Sequence, residues 1–344
     1  MADEKTHADS LWEWLTGAAS DGGAQTDPDL SLGDYRSATE AQPMDVAVAS
    51  PIANITIEYA AGGNAEGAGT LNAVDANNLA WKDLGGAYGA SVAIANGETK
   101  IVEASADTAA YLRVTRTSAT ALTGTATVTL TRKLNNVFGF DDVTSAEAVA
   151  GDDEYRATML VNESAGSITL LKRWIGVLGT QAVSDTTQLG ASGAGTIVTT
   201  DTFADWPDSG WCHIRNAGTT QEIVYYTERT DTVLTVPAAG RGLLGTSASA
   251  GAVDDTLDAV PGVRISKDDG GVTAAGGAIE DVGDEDTEPA GAAWNTGLTA
   301  ATGLDIGTMT TGQQIGIWFH REIPAGAVAT TEAHVIIHDS FDAA

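Results

Sequence analysis

Short runs in which every second residue is apolar recur along most of this chain, and they restrict it to pleated structure. In "IANITIEYA" Ile55, Ile57 and Tyr59 alternate with polar neighbours. "TKIVEAS", "AAYLRVTRT" and "GTATVTLTRKL" read similarly, through Tyr111, Leu112 and Val114 and then Val128 and Leu130. A period of two places one set of side chains on one face of a strand. Such runs, parted by Gly and Asn, predict an antiparallel β-sandwich over residues 43–133. Asn96-Gly97, between "SVAIA" and "ETKIVEA", predicts a two-residue hairpin. The 40 glycines suit short strands joined by tight turns. No long helical period and no solenoid repeat is visible; "VTSAEAVAGDDE" has room for one helical turn.

A second β-sandwich is predicted over 134–344. "DEYRATMLVNES" and "SITLLKRWIGVL" are strong strands, and "GVRIS", "QIGIWFHREI" and "AHVIIHDSF" follow much later. Between them, at about 179–262, lies a piece with its own turn chemistry, read as a small β subdomain inserted into a loop. In it "EIVYYTERTDTVLTV" predicts a hairpin bent at "TERTD", with "GWCHIRN" as a partner strand. Residues 1–42 read as an extended N-terminal arm and linker. In the arm "DSLWEWLTG" suggests about two helical turns, with Leu11, Trp12 and Leu15 on one anchoring face. So short a helix needs a dock, either the chain's own body or a neighbouring subunit.

The chain carries 47 acidic and 17 basic residues, a net charge of −30. Such a surface repels phosphates and anionic membranes, so no nucleic-acid partner is expected. Cys212 is the one cysteine, which rules out an intrachain disulfide and suits a small buried hydrophobe. No apolar run reaches the roughly 18 residues of a membrane helix, and MADEKTHADS lacks the regions of a signal peptide. Neither membrane insertion nor export is expected.

"GRGLLGTSASAGA" holds the glycine-rich stretch most open to a chemical reading. A phosphate loop would need a Lys-Ser/Thr end and a following helix. Here no lysine follows, and the flanking acids would repel phosphate. The expected role is structural: Gly240, Gly242 and Gly245 permit tight loop geometry, and Arg241 donates to carbonyls or to a carboxylate. His334 and His338 would lie ~13 Å apart on a strand, too far to share one metal. The acidic clusters at 151–154, 267–271 and 280–288 do not match a calcium loop. "GTSAS" is not G-x-S-x-G, and no catalytic residue, metal or cofactor is expected. Among the tryptophans, Trp174, Trp294 and Trp318 are expected in the core. Trp206 and Trp211 are expected to pack around "PDSG", with an exposed contact patch as the alternative.

The second block resembles a module of virion structural proteins of tailed bacteriophages. The resemblance is carried by Phe140, Asp141, Asp142 and Val143 leading to Glu154, Tyr155 and Arg156, and by Ile317, Trp318 and Arg321 before Pro324, Ala325 and Gly326. The insertion resembles a hairpin-plus-loop of phage head and tail proteins. The resemblance implies a non-enzymatic, homo-oligomeric building block, a trimer or another homo-oligomer, made in the host cytoplasm and carried on the particle. Its partners would be copies of itself and the major capsid or other virion proteins. An exterior head decoration or vertex spike held by the arm is the expected role. A tail protein contacting the host surface and a virion polysaccharide-degrading enzyme are the alternatives.

Overall fold

The computed structural model describes side chains at residues 11, 13–25, 30–37, 140, 143–163, 166–184, 189–216, 219–328 and 337–341, and backbone alone in further strands. The described chain is almost wholly β, and its strands pair antiparallel.

Two sheets face each other in the body. One runs in the order β18 (Val263–Lys267), β20 (Gln314–Ile323), β9 (Asp152–Asn162) and β2 (Leu11–Leu15). The other is β19 (Leu304–Met309), β10 (Ile168–Ile175), β21 (Val335–Ala343), β8 (Gly124–Leu134), β3 (Ile52–Ala61) and β6 (Thr99–Glu103). Alternate residues of both sheets meet in one apolar core, among them Leu15, Leu160, Leu171, Ile317, Phe319 and Phe341. The outer face of β9 and β20 is covered too. Tyr155, Met159 and Trp318 pack there with Ile279 and Val282 from a long loop, and with Trp14 and Leu32 from the arm. With both faces covered, β9 is buried along nearly its whole length.

A third sheet joins β1 (Glu4–Thr6), β7 (Arg113–Arg116), β4 (Leu71–Val74) and β5 (Ser91–Ile94). The hairpin expected at Asn96-Gly97 lies outside the described residues; of the strands beside it, β5 bonds to β4 and β6 to β3. The boundary drawn at 133/134 falls inside β8, which lies between β3 and β21. One six-stranded sheet therefore runs through both sequence blocks.

Residues 11–15 form a strand, not the expected helix, and pair with β9 from Leu11↔Asn162 to Leu15↔Thr158. The period of two wins because it turns Leu11 and Leu15 into the body's own core, where each is 2% exposed. Ser31 Oγ, farther along the arm, donates to the Ala157 carbonyl at 2.6 Å. The anchoring face assigned to Leu11, Trp12 and Leu15 is corrected accordingly: both leucines are spent on this chain, and the Trp12 side chain lies outside the described residues.

Between the leucines, Glu13 also points inward and is fully buried. It meets Arg173 of β10, which also grips Asp339 of β21; all three side chains are 0% exposed. Arg173 donates to Glu13 at 2.7 and 3.1 Å and to Asp339 at 2.7 and 2.9 Å. Thr158 Oγ1 gives Glu13 a further hydrogen bond at 2.7 Å. Burial alone would lower the Arg173 pKa, but Asp339 and then Glu13 hold it above its ordinary value. A fork of five N–H donors satisfies two carboxylates at once, which lysine could not do.

Arg173→Met is expected to destabilise the protein by about 3–5 kcal/mol in urea unfolding, because it strands two buried carboxylates. Replacing Glu13 and Asp339 by leucine in the same chain should recover most of that loss. Removing residues 1–17 should lower the melting temperature, since it opens an edge of the β9 sheet and uncovers its core.

Candidate functional site: the junction of insertion and body

Residues between β10 and β18 fold around a core of their own. One sheet has the order β11 (Ala182–Val183), β17 (Thr256–Val260), β13 (Gly210–Asn216) and β14 (Thr219–Tyr226). The other has β12 (Gly195–Val198), β16 (Val233–Val236) and β15 (Glu228–Arg229). Phe203, Trp206, Cys212, Val224, Tyr226 and Leu234 are among the residues that fill the space between them. The hairpin expected across "TERTD" is made, but by β15 with β16 rather than by β14 with β16. β14 pairs with β13, as "GWCHIRN" suggested, while β16 pairs with β12 and β15. The chain changes sheet at Thr227.

Trp206 is 2% exposed; its indole donates to the Thr180 carbonyl at 2.7 Å, and its ring sits against Phe203 and Tyr226. It is a packing residue, which corrects its alternative assignment to a contact surface. Trp211 is half-buried, packed edge-on to Tyr225 and lying over Gly262, where a Cβ would meet the indole at 2.2 Å. Burial pushes the Cys212 thiol pKa well up, leaving it an inert apolar group. Trp318 is 1% exposed and Trp174 9%, while Trp294 is half-buried.

The stretch "GRGLLG" wraps the free edge of β14. Leu243 N–H donates to the Ile223 carbonyl, and Ile223 N–H donates to Thr246 Oγ1, each at 3.0 Å. These bonds close an edge that would otherwise offer unpaired groups to another strand. Gly240 lies so close to the Tyr225 carbonyl that a Cβ would stand 2.5 Å away. Gly242 and Gly245 have φ of 67° and 80°, the left-handed region that favours glycine. Arg241 pairs with Glu222 at 2.6 and 2.8 Å and donates to the carbonyls of Gly190, Gly193 and Ser249. Glu222 also accepts the N–H groups of Gly242 and Ser249. Both side chains of the pair are buried, while Gly245, Ser247 and Ala248 of the loop are exposed.

On the other side of the loop Leu243 and Leu244 pack with Ile223 and Tyr225, with Trp211 and Ala327 at the rim. Two hydrogen bonds cross to the body. Leu244 N–H donates to Glu322, and Val328 N–H donates to the Tyr225 hydroxyl. Beneath them, Arg264 Nε donates to His320 Nδ1 at 2.8 Å, and His320 Nε2 meets Asp153 Oδ1 at 2.8 Å. Because Nδ1 accepts, the ring proton sits on Nε2 and is donated to Asp153. Tyr155 stacks on His320 with ring centres 4.6 Å apart, and Arg264 lies over Trp294.

An open cleft of about 610 Å³ lies at this seam, lined by Asp152, Asp153, Asp286, Glu322, Ala239 and Leu243 among others. Burial, with repulsion from Asp286, Glu147 and Glu285, raises the Asp152 pKa. Burial and then Asp153 raise that of Glu322, against the pull of the Leu244 N–H. The His320 hydrogen bond holds Asp153 below the usual carboxylate range. Burial pushes the Tyr155 phenol up to about 12, so it stays protonated. Both nitrogens of His320 are engaged, so this imidazole has none free to activate a hydroxyl. Among the described residues no three metal-ligating side chains converge. No described helix is long and apolar enough to cross a membrane. His338 stacks on Trp174, and His334 lies outside the described residues. The arrangement is a joint made of hydrogen bonds and side-chain packing. The sequence pointed to Arg241 and the glycines but not to Glu222, Glu322 or the Arg264–His320–Asp153 chain, whose partners are brought in by strand pairing.

No protein-family model and no curated protein matches the sequence. Among solved structures the chain aligns with the T13 particle of infectious bursal disease virus at 9% identity and a TM-score of 0.13, covering 100% of this chain and 75% of that one. It aligns with the Gt strain of that virus at 10% identity and a TM-score of 0.12, over 99% and 78% of the two chains. For the VP2 subviral particle the values are 9%, 0.11, 100% and 81%. At such TM-scores the alignments carry no argument.

Arg241→Lys is expected to loosen the loop at a cost of about 3 kcal/mol, since it leaves Glu222 buried without its two-pronged partner. Limited proteolysis should then cut first between residues 241 and 251. Glu322→Gln tests the cleft. A raised folded-state pKa means that ionised Glu322 opposes folding at neutral pH and that the penalty fades as pH falls through that pKa. The amide retains an acceptor for Leu244, so the variant should melt no lower than wild type at pH 7, and any gain should vanish in acid.

Proposed function

We propose that the chain is a non-enzymatic virion structural protein that holds its insertion as a fixed projection from a β body. The observation that carries this reading is the joint just described. The insertion has its own core, and it meets the body through the Leu244–Glu322 and Val328–Tyr225 hydrogen bonds and the packing of Ala327 against Leu243, Leu244 and Tyr225. The motif resemblance around 140–156 and 317–326 supports a virion role and is the ground for a tailed-virus origin.

On this reading the protein is a homo-oligomeric decoration or vertex spike on the capsid exterior. It contacts copies of itself and other virion proteins, with its acidic surface toward solvent. Attachment through the arm's leucines is not part of the proposal, because they serve the body's core. A second reading, a tail or baseplate protein that touches the host, is favoured by two exposed side chains on the insertion. Val183 is 40% exposed and Val253 56%, and their neighbours are joined by hydrogen bonds between Ser184 and both Asp254 and Asp255.

Mass spectrometry and a cryo-electron map of particles purified from an infected culture test the first reading. The chain should be present at fixed stoichiometry with the insertion facing outward. Its absence from particles, or glycan turnover by the purified protein, would overturn the proposal. Binding of labelled protein to host cells that is lost in Val183→Asp and Val253→Asp would select the second reading.

A further inference from the structure

We propose that His213 makes the insertion an acid-sensitive element that opens below neutral pH while the body stays folded. This inference does not depend on the virion reading. His213 lies in β13, an inner strand of its sheet, and is 1% exposed. No described group bonds either ring nitrogen. A buried imidazole in this state is tolerable only while neutral, because a cation there would lack both water and a partner.

The surroundings are set by strand register. Ile223 of β14 lies opposite on one side and Asp258 of β17 on the other. Asp258 is already engaged, by Arg215 at 2.7 Å and by Gln181 at 2.7 Å. Arg215 shares the face of β13 that carries His213 and would repel a second cation. Burial first, and Arg215 second, lower the imidazole pKa from 6.5 to about 3. Of the other charged groups nearby, Glu222 is committed to Arg241 and Glu322 to the Leu244 N–H. Ile223 is also the residue on which the docking loop rests, through the Leu243 and Thr246 hydrogen bonds. A proton forced onto His213 therefore acts where β13, β14 and the joint meet.

The sign follows from linkage. The folded-state pKa is depressed, so the opened insertion takes up a proton that the closed one refuses, and stability falls as pH drops from about 6.5 toward 3. Most unpaired carboxylates titrate below pH 5. Between pH 8 and 5 most carboxylates are therefore silent, and the raised groups Glu322 and Asp152 contribute equally to wild type and to His213→Gln. The linkage relation gives an opening constant about thirtyfold larger at pH 5 than at pH 8.

Hydrogen exchange of the slowest β13 and β14 amides, corrected for the intrinsic pH dependence of exchange, measures this constant directly. The wild type should show the rise, and His213→Gln should be nearly flat. His338, in the body, contributes equally to both chains. Opening constants that stay level from pH 8 to 5 in the wild type, or a rise that persists in His213→Gln, would overturn the proposal. Should the variant not fold, an NMR titration of the wild-type imidazole decides: a His213 ring that protonates between pH 6 and 7 in the folded protein rules the mechanism out.

Discussion

The fold depends on one arginine placed where three distant segments converge. Arg173 sits in the middle of the body, and its two carboxylate partners come from opposite ends of the chain, Glu13 from the arm and Asp339 from the last strand. A charge this deeply buried is worth little as net stability when fully paired, but removing any one partner is costly. Its effect is therefore on specificity. A register in which β2 slid by one residue along β9 would turn Glu13 outward and leave the guanidinium half-satisfied. The triad fixes that register, and with it the closure of the core over Leu11 and Leu15.

The same device recurs at each place where the chain could otherwise come apart. Arg321 pairs with Glu154 between β20 and β9, and Arg241 with Glu222 between the glycine-rich loop and β14. The first joins residues 167 apart in sequence and the second residues 19 apart, and each arginine is almost fully enclosed. Edges are treated in a complementary way. The arm covers β9, and the loop from Gly240 to Thr246 covers β14, so these strands do not offer open ladders to other chains. Another chain meeting those edges would have to engage side chains and loops rather than add a strand.

The pattern of apolar residues made the β class legible, because alternation reports directly on pleat and burial. It located β9, β10, β18 and β20 and placed Trp318 in the core. It failed where a strand carries a buried charge. Glu13 interrupts the alternation of Leu11 and Leu15, and "LLKRWI" gives no sign that Arg173, rather than Lys172, points inward. The partner that makes Glu13 acceptable in the core lies 160 residues away, so local sequence favoured a helix with Trp12 on its face. Sheet membership was equally hidden. β14 and β16 alternate well and are close in sequence, yet alternation records which face is buried and not which neighbour supplies the hydrogen bonds. Arg241 could be singled out from its glycine neighbours, but Glu222 sits in an ordinary strand run, and only the fold of β14 brings the two together.

The marked acidity of the chain also takes on a structural meaning. The sequence has few cations, and the arginines whose side chains are described are almost all engaged with carboxylates: Arg36, Arg156, Arg173, Arg215, Arg229, Arg241 and Arg321. Arg264 is held by His320 and Trp294. Among the described residues the arginine charge is thus largely engaged by carboxylates, several of them buried. What remains for the surface is the excess of carboxylates, which gives the net charge of −30. Mutual repulsion among them keeps separate copies soluble and opposes compaction of each one. Salt screens those exposed charges within roughly 10 Å at 0.1 M but leaves the buried pairs nearly untouched. Interior and exterior electrostatics are thereby separated: the fold is specified by pairs that salt does not reach, while the approach of neighbouring molecules is governed by charge that salt controls.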